Sequence, residues 1–360
     1  MVAVARRTLS PIGQTLAAYI AEAAAAAGTP QQKAAAEAVA ALAAAAVKIS
    51  RLIAEGPYGG AHGEASGSAN ADGDVQVALD LRANEFVLAA LRQAPVAYFA
   101  SEEEDVILTL APEMPESRVA VAVDPLDGSS NVDVNVSIGT IFSIFGASPD
   151  GATASFFRPG KEQLAAGYFI YGPHTDLVLT LGDGVDLFVL DPASGDFHLA
   201  RSGLTIPLAA KEFAINASNY RHWFPPIRTF IDDCLEGAEG PRGKNFNMRW
   251  VASLVAETHR IFSRGGVFLY PADRRPGYEK GRLRLIYEAA PIAFLAEQAG
   301  GGATDGIEQI LDKVPAELHQ RTPLIFGSAR KIERIAGYHV DPSLVRDVPP
   351  LFRERGLFSS

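Results

Sequence analysis

The reading of this chain turns on "VAVAVDPLDGSSN", residues 119–131. The apolar run Val119 to Val123 is that of a strand buried on both faces. It ends in two carboxylates, Asp124 and Asp127, and then in small residues. The spacing predicts that Asp124 ends the strand, that Pro125 forces a turn, and that Asp127 returns a second carboxylate to the same side. The Leu126 carbonyl would then add a neutral oxygen donor. Gly128, Ser129 and Ser130 would offer amides and hydroxyls able to cradle a phosphate. A lone Asp-Pro-x-Asp-Gly is often only a turn, so its meaning depends on what the rest of the chain places beside it.

Other carboxylates follow apolar runs in the same way. Asp74 and Asp80 flank the strand-like "VQVAL", Glu102 and Glu103 close "VAYFASEEED", and Glu288 follows "LRLIY". Strand ends are where α/β proteins place their chemistry. Adjacent residues on an extended segment point opposite ways, so one of Glu102 and Glu103 can bind metal while the other orients a water. Singly, "SEEED" reads as a solvated acidic edge and Asp74 as a loop residue. Together these groups form a set of hard oxygen donors suited to Mg²⁺ or Mn²⁺. The seven histidines and one cysteine show no zinc-ligand spacing.

The totals agree. A chain of 360 residues with 48% hydrophobic and 21% charged residues can bury the core of two domains or of one large one. A net charge of -10 argues against a nucleic-acid partner, while bound cations would still admit an anionic substrate. With Cys234 alone, no intrachain disulfide can form, which fits a reducing cytoplasm. Arg6-Arg7 ahead of an apolar stretch has the look of an export signal, but Gln14 and Glu22 interrupt it. Ile12, Leu16, Tyr19 and Ile20 have the spacing of an amphipathic helix. No stretch is apolar and long enough to span a membrane.

Along the chain, residues 9–55 read as two helices around Gly28-Thr29-Pro30, with Thr29 as N-cap. Residues 56–73, rich in Gly, Ser and Ala, read as a long mobile loop, either a functional lid or a disordered linker, and a helix follows over 81–93. Short β-segments fill 96–201. Beyond Pro207 come a strand at "EFAINASN", a helix at "PPIRTFIDDCLEG" and a longer helix across "MRWVASLVAETHRIFSRG". The strand "GVFLYPA", a helix closed by Gly300-Gly301 and the strand "TPLIFGSA" complete the order. The alternation predicts layered α/β architecture, divided into residues 1–204 and 205–360, with the site where the two meet.

"DPLDGSSNVD", with "SEEED" before it and "SIGTIFSI" and "GRLRLIYEAAPIAFLAEQAGG" after it, resembles class I fructose-1,6-bisphosphatase. That family belongs to the metal-dependent, lithium-sensitive sugar and inositol phosphatases, and the likeness extends from about residue 35 to 328. It implies a layered αβαβα sugar-phosphatase fold and hydrolysis of the 1-phosphate by direct attack of a metal-activated water. It further implies Glu102, Asp124, Asp127, Glu288 and the Leu126 carbonyl as Mg²⁺ ligands, completed by Asp74. Asp80 and Glu103 would activate the water, and Gly128, Ser129 and Ser130 would hold the phosphate. The far phosphate falls to Arg249 (reaching into a neighbouring subunit's site), Tyr270, Arg282, Arg284, Tyr220, and either Asn216 or Asn219. Arg282 stands where the family usually has Lys, and Trp250 where a Tyr is common. A homotetramer is implied.

The likeness also speaks to regulation and to rivals. The segments that bind AMP in other members read "AGTPQQK", Arg118-Val119 and Gly146 here, so AMP is expected to inhibit weakly or not at all. Sedoheptulose 1,7-bisphosphatase or dual specificity stays open. The absence of a Trp-Asp motif disfavours an inositol monophosphatase, and the full acidic set disfavours a non-catalytic sugar-phosphate sensor.

Overall fold

The computed structural model of the chain describes residues 10–56, 65–69 and 75–345. Two helices open it, α1 (Leu16–Ala26) and α2 (Pro30–Ala54). Thr29 caps α2 by accepting from the Gln32 amide, while the Gln32 side chain accepts from the Thr29 amide. This reciprocal pair satisfies two amides that a helix start leaves open. Ile12, expected on the apolar face of α1, is instead exposed and precedes the helix. The stretch read as one long loop contains a strand, β1 (Ala65–Ala69), paired antiparallel with β2 (Val75–Val77). Helix α3 (Ala78–Leu91) starts ahead of the expected Leu81, so Asp80 lies in its first turn and not at a strand end.

Strands β3 (Val96–Ser101), β4 (Leu108–Thr109), β5 (Val119–Asp127) and β6 (Ile138–Gly146) precede a short helix, α4 (Ala152–Phe156). Then come β7 (Ala165–Tyr171), β8 (Thr175–Thr180), β9 (Asp186–Leu190) and β10 (Phe197–Arg201). They form one eight-stranded sheet in the order β10-β9-β8-β7-β6-β5-β3-β4, with β3 and β5 parallel and the other pairs antiparallel. Both faces are covered, which explains the unbroken apolar runs. Val121, Phe142 and Phe169 pack toward α1–α3. Their neighbours Ile141, Tyr168 and Val178 pack against residues of the second half of the chain.

That half supplies β11 (Glu212–Phe213), α5 (Pro225–Leu235), β12 (Asn247–Met248), α6 (Leu254–Arg264) and β13 (Val267–Tyr270). It continues through β14 (Leu283–Arg284), a π-helical turn at Leu285–Ala289, α7 (Ala290–Gln298) and β15 (Gly302–Thr304). Strands β16 (Arg321–Thr322) and β17 (Leu324–Gly327) and helix α8 (Ala329–Val340) follow. Helices α6 and α7 pack on the large sheet, and the small sheet β13-β17-β15 packs on them through Phe268 and Phe326. The alternate residues Val267, Leu269 and Ile325 face α5 and α8. The layers therefore run αβαβα.

Two expectations fail locally. The "EFAINASN" strand stops at Phe213, because the Asn216 side chain accepts from the Ser218 amide and starts a 3₁₀ turn. The helix expected from Met248 begins only at Leu254: Ala252 has a positive φ of 63°, and Ser253 is the cap. Arg249 therefore lies in an irregular segment. Among the described residues no helix is long and apolar enough to cross a membrane.

Candidate active site

Pro125 forces no turn. Strand β5 continues through Asp127, and the pairing with β6 steps from Asp124↔Ile141 to Asp127↔Gly139. Three residues of β5 thus span two of β6, a β-bulge. In a regular strand an offset of three would put the two carboxylates on opposite faces; the extra residue turns both to one side. Proline suits the bulge because it has no N–H to donate to a ladder, and its carbonyl accepts from the Thr140 hydroxyl at 2.8 Å. The turn comes at Gly128, whose φ of 77° a side chain would resist. Ser129–Asn131 then form a 3₁₀ turn. Its opening amides have no acceptor within the turn.

Each carboxylate is fixed by backbone. Asp124 Oδ1 accepts from the Leu126 amide at 3.0 Å, and Asp127 Oδ2 from the Val255 amide at 2.9 Å. The second bond puts Asp127 against the N-terminus of α6, where helix amides favour negative charge. The helix comes this near because residue 139 is glycine; a Cβ there would stand 2.7 Å from the Val255 methyls. Glu288 lies in the π-helical turn, not at a strand end, and its Oε2 accepts from the Arg284 amide at 2.6 Å. Single π-turns inside helices recur at functional sites.

Asp124, Asp127 and Glu288 are buried, and their nearest ligand atoms lie within 4.8 Å of one another. Burial first, then the neighbouring charges of Glu102, Asp127, Glu288 and Glu103, push the Asp124 carboxyl well up. Burial, Glu102 and Asp127 do the same to Glu288. Asp127 is raised by burial to about 6 despite its backbone bonds. Two ionised carboxylates at this spacing repel by roughly 3 kcal/mol at an effective dielectric of about 20. The donor set therefore fits a hard divalent cation, which turns that repulsion into attraction.

Glu102 and Glu103 lie in the turn after β3, not on extended strand, and the charges of both raise Asp124. Glu102 is 3.3 Å from the buried Arg284 guanidinium. The Glu103 amide donates to Ser101, which in turn donates to Asn84 of α3. Asp80 is buried in the same helix. Asp74 lies outside the described residues.

The residues read as a far-phosphate site are dispersed. Asn216, Asn219 and Tyr270 line one shallow cavity with Trp223, Asp273, Arg275 and Tyr278. The Tyr270 ring stacks on Trp250 and Phe268, so Trp250 orients it. Burial raises the Tyr270 hydroxyl, with the charge of Arg282 the largest opposing influence and Glu288 adding to the rise. Tyr220 is not part of this lining: its hydroxyl donates to Asp232 of α5 at 2.8 Å. Arg284 belongs with the carboxylates. Arg249 is half exposed, its Nε 3.7 Å from Glu212. Sequence reasoning missed Arg275 and Tyr278; the only signal was the basic and aromatic "DRRPGYEKGR" ahead of Leu283.

Comparison with known proteins bears on this arrangement. The family model described as the fructose-1-6-bisphosphatase N-terminal domain matches residues 14–202, and that of the C-terminal domain matches 206–340. A class 1 fructose-1,6-bisphosphatase of Rhizobium meliloti is 54% identical over 349 residues, 96% of this chain and 99% of the relative. One from a Bradyrhizobium species is 57% identical over 313 residues, 87% and 90% of the two chains. The crystal structure of Leishmania major fructose-1,6-bisphosphatase in holo form superposes with a TM-score of 0.83 at 33% identity, covering 92% of this chain and all of that one.

Proposed function

This chain belongs to the class 1 fructose-1,6-bisphosphatase family, and from that premise we propose which residues remove the 1-phosphate of fructose 1,6-bisphosphate and that Mg²⁺ is their ion. The activity is that of a phosphoric monoester hydrolase. The observation that carries the assignment is the buried trio Asp124, Asp127 and Glu288, whose ligand atoms converge within 4.8 Å.

A divalent cation held there supplies Lewis-acid polarisation of the phosphate and acidifies a water. The chain's own residues do the rest. Asp124, Asp127 and Glu288 would hold the ion, with Glu102 and the Leu126 carbonyl as further oxygen donors by family likeness. Asp80 and Glu103 take the proton of the attacking water, a role that Asp74 shares by family likeness. The amides of Gly128, Ser129 and Ser130 bind phosphate oxygens. Arg284 holds the carboxylates in place rather than touching sugar, since its guanidinium faces Glu102 and its amide Glu288. Asn216, Asn219, Tyr270 and Arg282 receive the second phosphate. Half-exposed Arg249 serves a neighbouring protomer in a homotetramer.

The boundary near Leu204 divides a metal-site domain from a sugar-binding domain, a reading supported by the eight-stranded sheet ending at Arg201. A single, buried Cys234 supports a cytoplasmic location. AMP inhibits weakly: the Gln31 side chain donates to the carbonyls of Pro115 and Ala147, and a Cβ at Gly146 would meet its Oε1 at 2.3 Å. Gln31 thus fills the space that a longer side chain at 146 would take, and strong inhibition by micromolar AMP would contradict this.

The test is phosphate release with and without Mg²⁺ from fructose 1,6-bisphosphate, sedoheptulose 1,7-bisphosphate and inositol 1-phosphate. Mg²⁺-dependent release from the first, with little from the third, is expected. The ratio of the first to the second decides between single and dual specificity. Release that ignores Mg²⁺ would overturn the assigned ion.

A further inference from the structure

We propose that Tyr278 is a positioning residue for the far phosphate: its ring, anchored by the Asp273–Arg275 ion pair, holds the Arg282 guanidinium ready for a bidentate contact. This rests on the reading of Arg282 as a far-phosphate ligand.

Asp273 is buried and bridged to Trp223. Arg275 grips it with Nε 3.0 and 3.1 Å from its two oxygens and Nη2 at 2.5 Å. These bonds take Nε–H and one Nη2–H of the five guanidinium donors and fix where the group lies. What it offers is its plane: the Arg275 guanidinium lies 3.9 Å from the Tyr278 ring centre. The backbone closes around the ring as well, with Tyr278 N–H donating to the Arg275 carbonyl and Asp273 N–H to the Tyr278 carbonyl. Gly281, which leads out of this loop, has a φ of 82°, and a Cβ there would meet Pro323 N at 2.2 Å. The loop is therefore pinned at its buried aspartate and against the segment that enters β17.

Arg282 is the contrasting group. Its guanidinium lies 4.7 Å from the same ring, and among the described residues it forms no ion pair. A guanidinium stacked on an aromatic face keeps its in-plane donors free. The Tyr278 ring that carries them lines the same small cavity as Tyr270, Asn216 and Asn219. Arg275 is thus a clamp, Tyr278 a plate and Arg282 the contact. A lysine at 282 could not use the plate in this way, because an ammonium has no plane to stack.

The experiment compares Tyr278→Ala with Tyr278→Phe, reading KM and kcat for fructose 1,6-bisphosphate and inhibition by fructose 6-phosphate and by inorganic phosphate. Tyr278→Ala should raise KM about five-fold at unchanged kcat, the worth of a half-exposed cation–π contact. It should weaken fructose 6-phosphate inhibition by the same factor and leave inorganic phosphate, bound at the carboxylate end, unaffected. Tyr278→Phe should restore both constants. An unchanged KM in Tyr278→Ala, a Phe variant as impaired as Ala, or equal weakening of both inhibitors would overturn the proposal. A wild-type enzyme without Mg²⁺-dependent turnover would instead overturn the reading beneath it.

Discussion

The two ends of the site are built by opposite means. At the carboxylate end the trio Asp124, Asp127 and Glu288 is held by backbone within or beside secondary structure: a bulge in β5, the first turn of α6, and a π-turn leading into α7. At the proposed sugar end the groups come from the end of β13, a 3₁₀ turn and the loop before β14, and flat surfaces orient two of them, Trp250 and Phe268 against Tyr270, and Tyr278 against Arg282. The difference follows from the task. Buried like charges repel by several kcal/mol and need rigid backbone donors to stay converged. A phosphate some distance from the reacting bond needs cations with free donors, which stacking leaves available.

The sharpest way to break this contrast is at its rigid end. Asp124→Asn should lower kcat about 10³-fold, as loss of a group acting on transition-state charge does, with the fold intact by circular dichroism. Near-normal turnover would mean that β5 does not carry the chemistry.

Lys331 of α8, set against Phe246 just ahead of β12, probes the second half of the chain through stability. It is 2% exposed, its ammonium lies 4.5 Å from the Phe246 ring, and burial lowers it to about 8. A lysine lowered on folding binds fewer protons folded than unfolded between pH 8 and its usual 10.5, so stability rises with pH through that window. Lys331→Met should therefore stabilise the protein by roughly 3 kcal/mol near pH 7, the gain shrinking toward pH 10. Melting curves across that range check it, and a gain independent of pH would exclude burial of charge as the cause.

Gly139→Ala tests the coupling of β6 to α6. The new Cβ would sit 2.3 Å from the Phe169 carbonyl oxygen and 2.7 Å from Val255. Overpacking of this kind costs on the order of 2 kcal/mol. Because the Val255 amide holds Asp127, Mg²⁺ affinity should fall with stability; calorimetry showing lower stability at unchanged affinity would uncouple them. At the loose end the effects should be small. Arg282→Lys keeps the charge and loses the plane, and should raise KM for the bisphosphate only about three-fold.

The same contrast governs how much the sequence discloses. The carboxylate end could be read because Asp124 to Ser130 are contiguous and follow an apolar strand. The bulge could not, since Pro125 serves a turn and a bulge equally well; the outcome depends on Thr140 and Gly139 of the neighbouring strand. Asp80 and Glu288 were read as strand-end residues, and that setting was wrong for both. The run "VQVALD" has strand character, yet its last residues open α3, and nothing local marks a π-turn. At the sugar end Tyr220 and Arg284 share the residue types of a phosphate site, but tertiary partners, Asp232 and Glu102, claim them. Tyr278 was invisible because its use depends on a guanidinium four residues away and an ion pair three residues back. The α/β layering was legible from the order of elements and its αβαβα form from the family likeness, while the ends of β11 and α6 were not, because Asn216 and Ala252 turn the chain there.

The most direct test of the central claim is Mn²⁺ binding followed by electron paramagnetic resonance in the wild-type protein and in Glu288→Gln. If the buried trio is the ion's seat, the wild type binds Mn²⁺, which Mg²⁺ competes away, and the variant loses that binding while melting no lower than the wild type without metal. Unchanged Mn²⁺ binding in a folded Glu288→Gln would contradict the account, and the ion would have to be sought elsewhere.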